Sequence, residues 1–206
     1  MKTSCEVFLV FDLETTGLKA DKNAILEIAC CPVGSDLKDL PEFESGVMKV
    51  YDDREVSDQA LKANGITVEQ IENGVDSEDV IKRLCKYLKS LSKQANKIIA
   101  VGHNIDKFDL PFLDDFFDIH GQDLSKYINS DFTIDTMWWS RVKWVESTNY
   151  KLGTCCQNCN IDLANAHRAI NDTRANKELL VSFLSSLRGE GNSSNKNYKR
   201  PIFEWK

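Results

Sequence analysis

The sequence predicts an α/β domain built on a mixed five-stranded sheet flanked by helices. Three observations carry that reading. Apolar, β-rich runs follow one another as a meander through about residue 51, separated by turn residues. Beyond that point helical patterns alternate with two further short apolar runs, the order expected of crossovers onto a sheet. At 206 residues, 42% hydrophobic and 28% charged, the chain suits one domain with a core that needs no disulfide or metal staple.

The elements follow in order. Val7 to Phe11 (VFLVF) reads as a buried strand that runs on through Asp12-Leu13-Glu14 and stops at Thr15-Thr16-Gly17-Leu18. Asp21-Lys22-Asn23 is a turn, and Ala24 to Val33 (AILEIACCPV) a second strand with Glu27 as its one charge. A third strand is expected over Phe43 to Tyr51. Ser57 to Gly65 and Thr67 to Asn73 read as short helices. Ser77-Glu78-Asp79 supplies an N-cap and acidic first turn for a longer one, whose Val80, Ile81, Leu84, Tyr87, Leu88 and Leu91 recur at helical spacing.

Ile98 to Val101 is the fourth strand and leads into Gly102-His103-Asn104. Leu110 to His120 is helical and ends at Gly121. Phe132 to Asp135 is the fifth strand, followed by a helical or looped segment with three tryptophans and a short helix from about Lys151. Ala169 to Leu187 presents a wide apolar helical face. From Gly189 the composition turns polar and small, so the expected division is a domain over 1–188 and a tail over 189–206 with an aromatic end.

Composition also sets limits on function. No stretch approaches the roughly 18 apolar residues of a membrane span, and the opening residues run straight into the first strand. The expectation is an intracellular protein, of cytoplasm or nucleus, with no targeting segment and no membrane partner. Seven cysteines, an odd number, fit reduced thiols better than a disulfide framework. A formal charge of −6 argues against a basic nucleic-acid coat but does not exclude an enzyme that meets nucleic acid only at a cleft filled by cations.

The chemistry starts with Asp12 and Glu14. Residues two apart on a strand share a face, and two acids so placed among apolar neighbours repel each other unless cations lie between them. A metal site is the natural reading. Two later places set polar groups against apolar structure: His103-Asn104 followed by Phe108-Asp109, and His167-Arg168 followed by Asp172. Each has an ordinary alternative. Asp109 suits a first-turn acid complementing a helix dipole, His167 a cap, and Asp172 a surface helix position; His103 and Asn104 suit partners for buried backbone groups.

Taken together, FDLETTG, HNxxKFD and HRAxxD, in this order and spacing, resemble the three motifs of the DEDDh 3′–5′ exonucleases. That family includes the proofreading epsilon subunit of bacterial DNA polymerase III, RNase T and oligoribonuclease. The resemblance spans roughly residues 5 to 187 and departs from the family at Asn64, where the consensus carries His. Another branch places Tyr four residues before the last Asp; here Arg168 stands there and His167 one place earlier, which matches the His branch.

The resemblance implies a ribonuclease H-like fold and a site in which Asp12, Glu14, Asp109 and Asp172 hold two divalent ions, Mg²⁺ or Mn²⁺. Hard oxygen ligands without thiolate suit these ions, and four carboxylates balance the charge of two of them. It further implies His167 as general base, Thr15, Thr16, Gly17 and Leu18 as the pocket of the terminal nucleotide, and His103, Asn104 and Phe108 as the frame of the cleft. The implied partners are 3′ ends of single-stranded DNA or RNA, hydrolysed to nucleoside 5′-monophosphates. The rivals are a proofreading subunit held to a DNA polymerase and a catalytically silent nucleic-acid-binding scaffold.

Three features stand outside this frame. Cys155, Cys156 and Cys159 include a CxxC, but zinc normally needs a second ligand pair, and small core packing is the better reading. Trp138, Trp139 and Trp144 with Arg141, Lys143 and Lys151 read either as a strip for single strands or as core residues beside a solvated face. The end of the tail, Lys199 to Lys206, reads as a docking peptide for a protein partner, as a segment folded back, or as a free end.

Overall fold

The computed structural model describes residues 6–129, 132–163 and 167–189. The tail over 190–206, including the candidate docking peptide, lies outside the described residues. Strand β1 (Glu6–Thr15) is the centre of a five-stranded sheet of order β3-β2-β1-β4-β5, with β2 Ile25–Gly34, β3 Phe43–Glu44, β4 Lys97–Gly102 and β5 Thr133–Asp135. β1 pairs antiparallel with β2, as Val10 with Cys31 and Glu14 with Glu27, and parallel with β4, as Val10 with Val101. The sheet is therefore mixed, as the sequence predicts.

Alternation along β1 divides the core into two layers. Val7, Leu9, Phe11 and Leu13 face helices α3 (Ser77–Ser92) and α4 (Asp109–Ile119), packing with Leu84, Leu88, Phe112 and Phe116. Phe8 and Val10 face the opposite way, onto Ile99, Val101, Ile134 and the Leu180 and Leu184 side chains of helix α7 (Ala169–Arg188). Asp12 and Glu14 continue the second register, so both acids point toward the α7 side at the C-terminal end of the central strand. All ten residues of β2 are buried, which makes Glu27, 3% exposed, the one charge in an otherwise apolar strand.

Two short helices, α1 (Asp58–Asn64) and α2 (Val68–Glu72), lie between β3 and α3. α5 (Thr136–Lys143) and α6 (Leu152–Asn158) lie between β5 and α7. The tryptophan-bearing segment thus begins as a helix.

The third strand is shorter than expected. Phe43–Glu44 alone joins the sheet, because Gly46 turns to φ 76° and the chain leaves the ladder. Beyond it, Met48 still donates its N–H to the Leu26 carbonyl (2.8 Å) and Val75 donates to Val47 (2.8 Å), so Met48 is buried without belonging to the strand. Among the described residues no helix is long and apolar enough to cross a membrane.

Candidate active site

Strand β1 delivers Asp12 and Glu14, and the first turn of α7 delivers Asp172 to the same point. One carboxylate oxygen from each lies within 4.8 Å of the other two. Among the described residues this is the only grouping of three or more His, Cys, Asp or Glu side chains close enough to hold an ion. Asp109 is not part of that grouping. It is 3% exposed at the start of α4, and its carboxylate accepts the backbone N–H of Leu13 and its own.

The electrostatics show how costly the arrangement is. Burial, then the charges of Asp109, Glu14 and Asp172, push the Asp12 carboxyl well above its ordinary range. Glu14 rises to about 8, from burial first and then from Asp172, Glu27 and Asp109, with Arg168 drawing it back. Asp109 rises to about 7, chiefly through burial, against the pull of its backbone donors. Asp172 is raised by burial and partly relieved by the N–H of His167. The donors are all hard oxygens and crowd one another without a paired base, which is the donor chemistry that suits a divalent cation.

His167 stands exposed just before α7, in the left-handed region at φ 71°, and its N–H donates to Asp172 Oδ2 at 2.9 Å. The structure thus brings Asp12, Glu14 and Asp172 together, with Asp109 close enough to perturb Asp12 and His167 bonded to Asp172.

The loop after β1 is held from within. The Thr15 hydroxyl donates to the Gly17 carbonyl (2.6 Å); the Thr16 hydroxyl donates to Glu55 O (2.6 Å) and accepts from the Ala24 N–H (2.8 Å). Thr16 is fully buried, and Leu18, 83% exposed, is the member that projects outward. Gly17 has a packing reason to be glycine: a Cβ there would lie 2.4 Å from the Asn23 side chain. Asn64 is buried beneath this loop and donates from Nδ2 to Thr15 O (3.2 Å).

His103 is committed on both ring nitrogens. Nε2 lies 2.7 Å from the Tyr150 carbonyl, which can only accept, so this nitrogen carries the proton. Burial holds the ring below its usual pKa, leaving Nδ1 as an acceptor 3.0 Å from the Thr136 hydroxyl. Asn104 adopts φ 71° and donates its N–H to Asp135 Oδ1 (2.9 Å), while Phe108, half-buried, packs its ring at a tilt against Phe112, centres 5.1 Å apart. Asp135 also caps α5 by accepting from the Met137 N–H (2.9 Å) and faces Asp109. Sequence reading missed it, because an acid closing a three-residue strand looks like a turn residue.

The other clusters separate cleanly. Cys155 and Cys156 are buried, the first packing with Leu179 and Phe183, as the core reading expects. The tryptophans divide: Trp139 and Trp144 pack on Phe183 at 6.0 and 5.5 Å, whereas Trp138 is half-exposed with the Arg141 guanidinium 5.3 Å from its ring centre.

Comparison with known proteins agrees with this geometry. The exonuclease family model RNase T matches residues 9–180. The DNA polymerase III PolC-type protein of Bacillus subtilis is 32% identical over 187 residues, 90% of this chain and 12% of that protein. The corresponding Bacillus cereus protein is 31% identical over 187 residues, with the same shares. The chain therefore spans about an eighth of the length of these relatives. In fold it is similar to E. coli Exonuclease I in complex with a dT13 oligonucleotide, with a TM-score of 0.72 at 19% identity over 91% of this chain and 43% of that one. It is similar also to the nuclease domain of 3′hExo, a DEDDh family member, bound to rAMP, with a TM-score of 0.69 at 15% identity over 90% of this chain and 94% of that one.

Proposed function

The chain belongs to the RNase T family of exonucleases, of the DEDDh type, and from that premise we propose that it is a metal-dependent 3′–5′ exonuclease of single-stranded nucleic acid. The observation that carries the proposal is the convergence of Asp12, Glu14 and Asp172 oxygens within 4.8 Å, with the acid Asp109 beside Asp12. Two divalent ions, Mg²⁺ or Mn²⁺, would supply there a nucleophile usable near neutral pH and charge stabilisation for the attacking and leaving oxygens of an in-line displacement.

The protein's own groups do the rest. Asp12 and Glu14 are fixed by the central strand, so the cradle is preorganised before substrate arrives. Asp172 is oriented by the His167 N–H, and Asp109 by Leu13. The exposed imidazole of His167 would accept the proton of the attacking water. The bond cleaved is that between phosphorus and the 3′-oxygen of the penultimate nucleotide, and the product is a nucleoside 5′-monophosphate. Leu18 and Phe108 would contact the terminal nucleotide, with Asn104 beside them. Thr15, Thr16 and Gly17 would form the floor of the pocket, and His103 would hold the wall through Thr136 and Tyr150.

A 5′-labelled single-stranded oligonucleotide with Mg²⁺ tests this reading. The expected product is a ladder shortening from the 3′ end, abolished by EDTA and by Asp12→Ala. Absence of a ladder on both DNA and RNA contradicts it, and matched DNA and RNA oligonucleotides of several lengths read the sugar preference.

A second reading, proofreading for a DNA polymerase, draws on the PolC-type relatives. It expects removal of a mismatched primer end to be stimulated by the polymerase, and deletion of residues 189–206 to break the pull-down with the polymerase while sparing activity on free oligonucleotides. A silent scaffold accords poorly with the presence of all five residues, Asp12, Glu14, Asp109, His167 and Asp172.

A further inference from the structure

Glu27 is a buried acid that the proposed chemistry does not use. It is the cross-strand partner of Glu14 in the antiparallel ladder, and directly opposed residues project to the same face of a sheet. An acid in that position, 3% exposed and beside a metal cradle, needs a specific partner. Arg168 meets it across 141 residues of chain. Its Nε donates to both carboxylate oxygens at 3.1 and 3.2 Å, and its Nη2 donates to Oε1 at 2.6 Å. The backbone N–H of Ala169 adds a fourth contact, to Oε2 at 3.3 Å.

These contacts fall at one place in α7. Arg168 is the N-cap residue and makes no capping bond to its own helix, so the Glu27 carboxylate, reaching from β2, receives the first free N–H instead. The neighbour on one side is His167, held at φ 71° in a region that L side chains rarely occupy. Four residues on is Asp172, which accepts the His167 N–H at 2.9 Å. A fork-on-fork contact fixes the rotation and the height of the helix start as well as its charge.

We propose that Arg168 and Glu27 form a positioning pair that seats the first turn of α7 on the sheet and thereby presents His167 and Asp172 to the Asp12–Glu14 edge. The role in catalysis rests on the exonuclease reading; the seating itself does not. An ordinary interlayer ion pair would also join β2 to α7. The two roles differ in what happens to His167 when the fork is lost and the charge is kept.

Arg168→Lys supplies that change in the full chain. Amide hydrogen exchange of the metal-free protein is the first readout. The His167 N–H should exchange at least about tenfold faster in Arg168→Lys and in Glu27→Gln, while the Leu13 N–H, bonded to Asp109, keeps its wild-type protection. Unchanged protection at His167 overturns the proposal whether or not the protein cuts nucleic acid.

The second readout is a double-mutant cycle on kcat at saturating Mn²⁺. Arg168→Lys should lower kcat by at least about tenfold with the KM for oligonucleotide within about twofold. In a His167→Ala background the same substitution should cost several-fold less than in the wild type, because one of the two groups it positions is gone and Asp172 alone remains. Equal losses in both backgrounds overturn it in favour of a general stabilising bridge. A wild-type protein that produces no ladder sinks the exonuclease reading alone, since the exchange measurement still decides the pair.

Discussion

Two rows of acids face helix α7, and the protein treats them in opposite ways. On the β2–β3 side three acids meet bases of the helix or its N-cap: Glu27 meets Arg168 at 2.6 Å, Glu42 meets Arg174 at 2.6 Å and Asp39 meets Lys177 at 2.9 Å. On the β1 side Asp12 and Glu14 meet another acid, Asp172, with Asp109 behind, and among the described residues no lysine or arginine closes on them. Both rows sit against the same helix and neighbouring strands, so burial alone does not explain the difference. On the β2–β3 side the protein's own bases answer the acids that join the sheet edge to the helix. The protein supplies none at the Asp12, Glu14 and Asp172 grouping, the place proposed for divalent ions.

Substitutions that break the unpaired row should have the largest effects. Asp12→Ala should abolish product formation in the oligonucleotide assay while the metal-free fold is kept, since the substitution removes a repelling charge. His167→Ala should cost roughly 10²–10⁴ in kcat, the usual worth of a general base, and leave divalent-ion binding within about twofold. A fully active His167→Ala protein would show that another group takes the proton.

The pH dependence sharpens the contrast further. Glu14 and Asp109 are raised in the folded protein to about 8 and about 7, so the folded state holds protons that the unfolded state has released. Between roughly pH 4, where unfolded carboxylates titrate, and about pH 8, the metal-free protein should lose stability as pH rises. Mg²⁺ should restore it most at the alkaline end. Melting temperatures across that range, in EDTA and in Mg²⁺, check both statements; a metal-free protein that grows more stable toward pH 8 contradicts them. Activity should fall as pH drops through the upper part of the same window, from about 8 past about 7, because protons then compete with the metal.

The smallest effect belongs to the paired row at the surface. Arg174 and Glu42 are about half and a third exposed, and such a pair contributes below about 1 kcal/mol. Arg174→Ala should shift the melting temperature by no more than a few degrees and leave activity unchanged.

Much of the unpaired row was legible in the sequence, because Asp12 and Glu14 are anomalous within their own strand. The paired row was not, since Glu27 finds Arg168 at a separation of 141 residues and no local pattern joins them. The strand sequence showed Glu27 as a lone charge without showing what answers it. The mixed five-stranded sheet followed from the meander and the alternation, but the early end of β3 came from the positive φ of Gly46, which composition alone does not reveal. The resemblance placed Gly17 in the nucleotide pocket, and the structure adds the Asn23 side chain packed against it. The three tryptophans look alike in sequence; the placement of Phe183 sends two inward and leaves Trp138 at the surface.

The central claim is that the unpaired acids are a cation seat kept partly protonated until the ion arrives. Calorimetric titration with Mn²⁺ near pH 7, in two buffers of different ionisation enthalpy, tests it most directly by counting the protons released. The account predicts binding with net proton release that diminishes in Glu14→Gln and is lost, with the binding, in Asp12→Ala. Binding without proton release, or no binding at all in the wild-type protein, would contradict it.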